Sequence, residues 1–184
     1  MRWRGSLVAV LVVGALGAVL TSATLTAFRP RELPFPIVEP VPADALPVRV
    51  LQVLSGDTVV VEVERISPRL PAVGMITVKL LGIDSPNFGL IDECYAVEAE
   101  GRLTELLPKD TIAWIETDAV PTDENGRWLS YVWAGDGRFV NYLLTVDGFV
   151  RPEPMPPNVS RYAAIEQGAV SAASRYGGLW SDCR

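Results

Sequence analysis

Two acids and two cations, in a chain without a single histidine, carry most of the chemistry this sequence offers. Asp57 stands in Gly56-Asp57-Thr58. Asp84 stands in the stretch from Lys79 to Asn87, where an apolar run gives way to Asp84-Ser85-Pro86. A third piece, Asp123-Glu124-Asn125-Gly126-Arg127, follows downstream. Carboxylates at strand ends are oxygen donors for a hard cation, and Lys79 and Arg127 are groups that neutralise a phosphodiester. Taken alone, either aspartate reads first as turn chemistry, bonded to its own backbone. With no histidine and no Cys-x-x-Cys, zinc sites, histidine bases and Ser-His-Asp triads are excluded.

These groups need a scaffold, and the patterning supplies one. Val48–Leu54 and Asp57–Val63 are β-branched runs separated by Ser55-Gly56, which predicts a hairpin. Met75–Ile83 alternates as a third strand, and Thr111–Thr117 and Trp128–Trp133 as two more. Ala96, Ala99, Leu103 and Leu106 share one helical face before Pro108. Val140–Val146 is a short helix. A last helix follows Pro156-Pro157, with Asn158 as its expected N-cap and an apolar stripe through Ile165, Ala169 and Ala172. Five strands with helices after the third and fifth suggest a small, partly open, OB-type barrel, one of several mixed α+β folds that such periodicity allows.

Ahead of the domain lie two segments of other character. Arg2 and Arg4 precede an uncharged run over Leu7–Phe28, so residues 1–28 read as a signal peptide or a single-span membrane helix. Residues 29–47 carry six prolines and read as an extended linker. A domain over 48–184 is expected beyond them, either membrane-anchored outside the cytoplasm or secreted. The net charge is −6, and −8 without Arg2 and Arg4, which argues against a broad electrostatic grip on nucleic acid. Any phosphate binding must be local. Cys94 and Cys183 are the only cysteines, and in an exported domain they either pair or remain two thiols.

The motifs in order carry a resemblance. Ser-Gly-Asp-Thr (55–58), Lys-Leu-Leu-Gly-Ile-Asp-Ser-Pro (79–86) and Glu-Cys-Tyr-Ala-Val-Glu-Ala (93–99) are followed by three more. These are Asp-Glu-Asn-Gly-Arg-Trp-Leu-Ser-Tyr-Val (123–132), Val-Asn-Tyr-Leu-Leu (140–144) and Gly-Leu-Trp-Ser (178–181). From about residue 48 to 183 the chain resembles the thermonuclease, or staphylococcal-nuclease-like, family. The resemblance implies a five-stranded OB barrel with three helices that cleaves DNA or RNA phosphodiesters with one Ca²⁺; separately, a monomer is expected. It places metal ligands at Asp57, Asp84 and the Ser85 carbonyl, and phosphate-binding cations at Lys79 and Arg127.

Two positions depart from the family pattern. Lys79 replaces an arginine, keeping charge but losing the planar fork. Asn87 replaces the glutamate that serves as base or water orienter, a loss that costs roughly 10²–10⁴ in rate, with Asp92 and Glu93 as nearby carboxylates. Glu124 and Asn125, and the proline-rich segment over 150–158, further weaken nucleic-acid binding. A nuclease of reduced activity is therefore expected. The alternative is an inactive nuclease-like module used for extracytoplasmic binding or scaffolding. A third option, base stacking on Tyr131 and Trp133, is weaker still.

Overall fold

The computed structural model describes residues 39–175, 178, 179 and 183. The leader and the first part of the proline-rich segment, residues 1–38, lie outside the described residues. From there the chain runs β1 (Leu46–Ser55), β2 (Thr58–Val63), β3 (Gly74–Leu80), β4 (Ile83–Asp84), α1 (Ala96–Leu106) and β5 (Ile112–Thr122). It continues through β6 (Trp128–Ala134), α2 (Val140–Val146), β7 (Arg151–Pro152) and α3 (Tyr162–Arg175). A closed five-stranded barrel forms in the order β1-β2-β3-β6-β5, with β1 pairing back onto β5. Within this barrel the β3–β6 ladder is parallel and the other four are antiparallel. With three helices among the described residues, this is the expected OB-type architecture, closed rather than partly open because Leu46–Arg49 of β1 pair with Ile112–Ile115 of β5.

Alternation explains the barrel wall. Val59, Val61 and Val63 of β2 point inward and are fully buried with Val50 of β1, Val78 of β3 and Val132 of β6. One stripe of α1 (Ala96, Ala99, Leu103 and Leu106) is buried, the helix packing against β1 and α2. Tyr131 and Trp133 belong to this interior: both are fully buried, and Trp133 stacks on Phe139 at 4.9 Å. They offer no face to a nucleic-acid base.

The differences from the sequence reading have local causes. The third strand does not reach Ile83. Gly82 adopts φ 77°, a left-handed conformation that glycine accepts without penalty, and the chain turns out of the barrel there. Ile83 and Asp84 then pair with Pro152 and Arg151 as a separate two-stranded ladder. Asn158 is not the cap of α3. Its amide clamps the extension of β5 instead, accepting from the Val120 N–H at 2.7 Å and donating to the Val120 carbonyl at 2.9 Å. The segment expected as linker up to Pro47 is tied to the barrel from Glu39 onward. Trp133 Nε1 donates to the Glu39 carbonyl, Arg161 pairs with the Glu39 carboxylate, and Leu46 already pairs with Ile115.

Candidate active site

Asp57 sits at the tip of the β1–β2 hairpin, in the two-residue turn between the paired Ser55 and Thr58. Gly56 makes the placement possible. A Cβ there would lie 2.5 Å from the Ala99 Cβ of α1 and 2.9 Å from the Ser85 Cβ. Only glycine lets the turn approach both. Gly56→Ala is expected to cost about 1–3 kcal/mol through overpacking and to push Asp57 off its partners, read as a lower midpoint in urea denaturation.

The Asp57 carboxylate is buried and saturated. One oxygen accepts from the hydroxyls of Ser55 (3.0 Å) and Thr58 (2.8 Å). The other accepts from the Ser85 N–H at 2.9 Å and from the Lys79 ammonium. Burial pushes this carboxyl up, but the Lys79 charge and the hydrogen bonds from Lys79, Ser85 and Thr58 outweigh it and hold the group below the usual carboxylate range. Lys79 is itself buried, pointing from β3 across its register partner Thr58.

Asp84 meets the same ammonium from the other side, 3.8 Å from Lys79 Nζ, with half of its side chain exposed. Its carboxyl is raised: partial burial is the main cause, the Lys79 and Arg151 charges oppose it, and Asp57 and Glu93 add to it. In kind, these donors fit a hard cation, being oxygen only. The buried Ser85 hydroxyl beside them has no hydrogen-bond partner among the described residues. In arrangement, the Lys79 ammonium already stands between the two carboxylates, where a bridging cation belongs. Among the described residues no group of three acidic or cysteine side chains converges to hold an ion.

In front of Asp84 opens a cleft of about 380 Å³ lined by Asp84, Pro86, Glu93, Arg151, Leu179 and the Cys94–Cys183 disulfide. Asn87 lies at the turn leading to it. Its backbone N–H donates to the Glu93 carboxylate at 2.8 Å, and its side-chain amide reaches the same oxygen at 3.5 Å. A carboxylate therefore stands beside position 87, delivered from a residue six places further along the chain. Arg127 is placed differently. It opens β6 one residue before Trp128, which pairs with Val78, and its guanidinium donates to Asp123 at 2.7 Å. Hydrogen bonds join Asp57 to Lys79 and Ser85, and Asn87 to Glu93, while Asp84 joins the first group through its 3.8 Å ion pair with Lys79; Arg127 bonds to Asp123 instead.

Two residues that position the site, buried Asn141 and exposed Arg151, were not singled out from the sequence. Asn141 of α2 accepts from the Val132 N–H at 2.9 Å and donates to the Leu81 carbonyl at 2.8 Å, so it staples β6 to the bend that carries Asp84. Arg151 faces Asp84 only because β7 forms, and two residues between prolines and turns leave no periodic trace.

The closed barrel thus carries Asp57 at the tip of its first hairpin and Asp84 in β4, on either side of the Lys79 ammonium. The family described as staphylococcal nuclease homologue matches residues 77–182, and the chain belongs to that family. It is similar to the thermonuclease of Staphylococcus intermedius, 29% identical over 135 residues covering 71% of this chain and 74% of that protein. It is also similar to the thermonuclease of Staphylococcus hyicus, 28% identical over 134 residues covering 73% and 75%.

Proposed function

We propose that this protein is a nuclease of reduced turnover that hydrolyses DNA or RNA phosphodiesters outside the cytoplasm, from a secreted or membrane-anchored domain. The observation that carries this reading is the meeting of Asp84 and Glu93 at one cleft, with Asp57 and Lys79 directly behind Asp84. The Cys94–Cys183 bridge supports an oxidising compartment. Ca²⁺ is the cation this reading requires. Asp57, Asp84 and the Ser85 carbonyl would hold it in competition with Lys79, and when bound it would supply positive charge to the phosphoryl oxygens.

The chain's own residues divide the remaining work. Asn87 cannot take a proton, but Glu93, hydrogen-bonded to the Asn87 N–H, can. As a water oxygen bonds to phosphorus its proton passes to the Glu93 carboxylate, and as the bond to the ester oxygen breaks the departing alkoxide takes a proton from solvent. Glu93→Gln is expected to lower kcat by at least about 10²-fold with KM nearly unchanged.

A second reading, a silent module for binding or scaffolding, is favoured by the Asp57–Lys79 pair, which leaves the first carboxylate without a vacant acceptor. Incubation of the chain with single-stranded DNA and RNA, in Ca²⁺ or chelator, separates the two. Slow Ca²⁺-dependent cleavage that Asp84→Ala abolishes supports the enzyme. Wild type that is silent while Asn87→Glu gains cleavage supports the silent module and removes Glu93 from the base role.

A further inference from the structure

We infer that Arg151 is a phosphate-binding residue of this cleft, gripping a backbone phosphate of a bound polynucleotide; the inference rests on the nuclease reading above. Lys79 is buried and bound to Asp57, with Asp84 on its far side. Arg127 is bound to Asp123. Neither has its charge uncommitted toward a ligand.

Arg151 stands opposite Asp84 in the β4–β7 ladder. Directly opposed residues of an antiparallel pair carry their side chains on the same face, about 4.5–5.5 Å apart at Cβ. The ladder is held in register by the Glu153 N–H donating to the Gly82 carbonyl at 2.9 Å. Arg151 is exposed and lines the same cleft as Asp84 and Glu93. Among the described residues no carboxylate comes within ion-pair distance of its guanidinium. Its charge is nevertheless felt at Asp84, where it opposes the upward push on that carboxyl.

A cation unpaired beside two carboxylates in one cleft is what a bound dianion or phosphodiester needs. Without it, Asp84 and Glu93 would repel the substrate they are placed to act on. A guanidinium also restores, from another strand, the planar fork that lysine at position 79 lacks, since it matches two phosphate oxygens at once.

The test is binding of a labelled single-stranded oligonucleotide to the full chain in chelator, where nothing is cleaved, across a salt series. Arg151→Gln is expected to weaken binding about tenfold at low salt and to reduce the slope of log K against log salt by about 0.7. Arg151→Lys should retain the slope and lose part of the affinity. Arg65→Gln, which removes the same charge from the loop after β2, is the control and should change neither. Inorganic phosphate, added as competitor, should displace the oligonucleotide from wild type more readily than from Arg151→Gln. Equal affinity and slope for wild type and Arg151→Gln overturn the assignment while leaving the nuclease reading intact. So does an Arg151 effect on free phosphate without one on the oligonucleotide. A wild-type chain that neither binds nor cleaves any polynucleotide overturns the nuclease reading, and Arg151 with it.

Discussion

Lys79→Met is expected to lower the unfolding free energy by roughly 3–5 kcal/mol in chelator, because it strands the Asp57 carboxylate in the barrel end. The two side chains are buried together, 9% and 6% exposed. Removing the ammonium leaves hydrogen bonds from Ser55, Thr58 and the Ser85 N–H, but no opposite charge. Asp57→Asn in the same chain should recover much of the loss, since breaking a buried pair costs more than replacing both members. The pH dependence carries the sign. In wild type the Asp57 carboxyl is held below its unfolded value, near 3.9. Its contribution is therefore complete above about pH 4 and is lost as pH falls through the folded pKa. In Lys79→Met the cation is gone and only the remaining hydrogen bonds oppose burial, so the folded pKa rises from its wild-type position. The deficit of the variant should then be widest near neutrality and should narrow on acidification. Ca²⁺ adds a second readout. If the carboxylates accept it once the ammonium is gone, the variant should regain about 2.7 kcal/mol at a Ca²⁺ concentration one hundred times Kd, while wild type gains less. Urea denaturation with and without Ca²⁺ measures both. A variant as stable as wild type in chelator would show that Lys79 and Asp57 are not a buried pair, and a variant indifferent to Ca²⁺ would remove these carboxylates as its ligands.

How much of this was legible beforehand depended on the length of each feature. β2 and the buried stripe of α1 have periods that survive in the sequence, so the barrel and its helices were readable from Val59, Val61 and Val63 and from Ala96 through Leu106. The meeting of Asp57 with Lys79 was not read from the sequence; it comes from the β2–β3 register, which sets Thr58 opposite Lys79. Short features were not legible. Gly82 ends β3 through a backbone conformation, and β4 and β7 are two residues each. Asn158 looked like a helix cap because asparagine before a helix usually is one, yet its amide serves a strand reached by long-range contact. The carboxylate beside Asn87 comes from Glu93, and a loop that folds back on itself has no period to announce it. The acids and cations could be named from their types, but which cation is spent internally, and which faces solvent, is decided by packing alone.

Replacing both Cys94 and Cys183 by serine is expected to cost roughly 4–5 kcal/mol, the second large effect. The bridge joins residues 89 apart, with Cα atoms 5.7 Å from each other, and a loop of that length loses much chain entropy when closed in the unfolded state. Set against the 5–15 kcal/mol of an ordinary domain, the loss is a large fraction of the whole, and the thermal midpoint should fall by about 10–20 °C. Calorimetry of the double variant beside oxidised wild type measures it, and dithiothreitol should bring wild type to the same midpoint. The consequence for function is separable from stability. Cys94, Cys183 and Leu179 form one wall of the cleft that holds Asp84, Glu93 and Arg151. With the bridge gone, the described C-terminal residues keep the Leu179 N–H to Gly148 carbonyl bond of 2.9 Å as a tie to the loop after α2. That wall then belongs to the least stable part of the domain and opens ahead of global unfolding. Well below its midpoint, where circular dichroism still reports a native fold, the double variant should bind oligonucleotide more weakly than wild type and show faster amide exchange at Leu179. Equal binding at that temperature would mean that the bridge holds the domain together but does not shape the cleft.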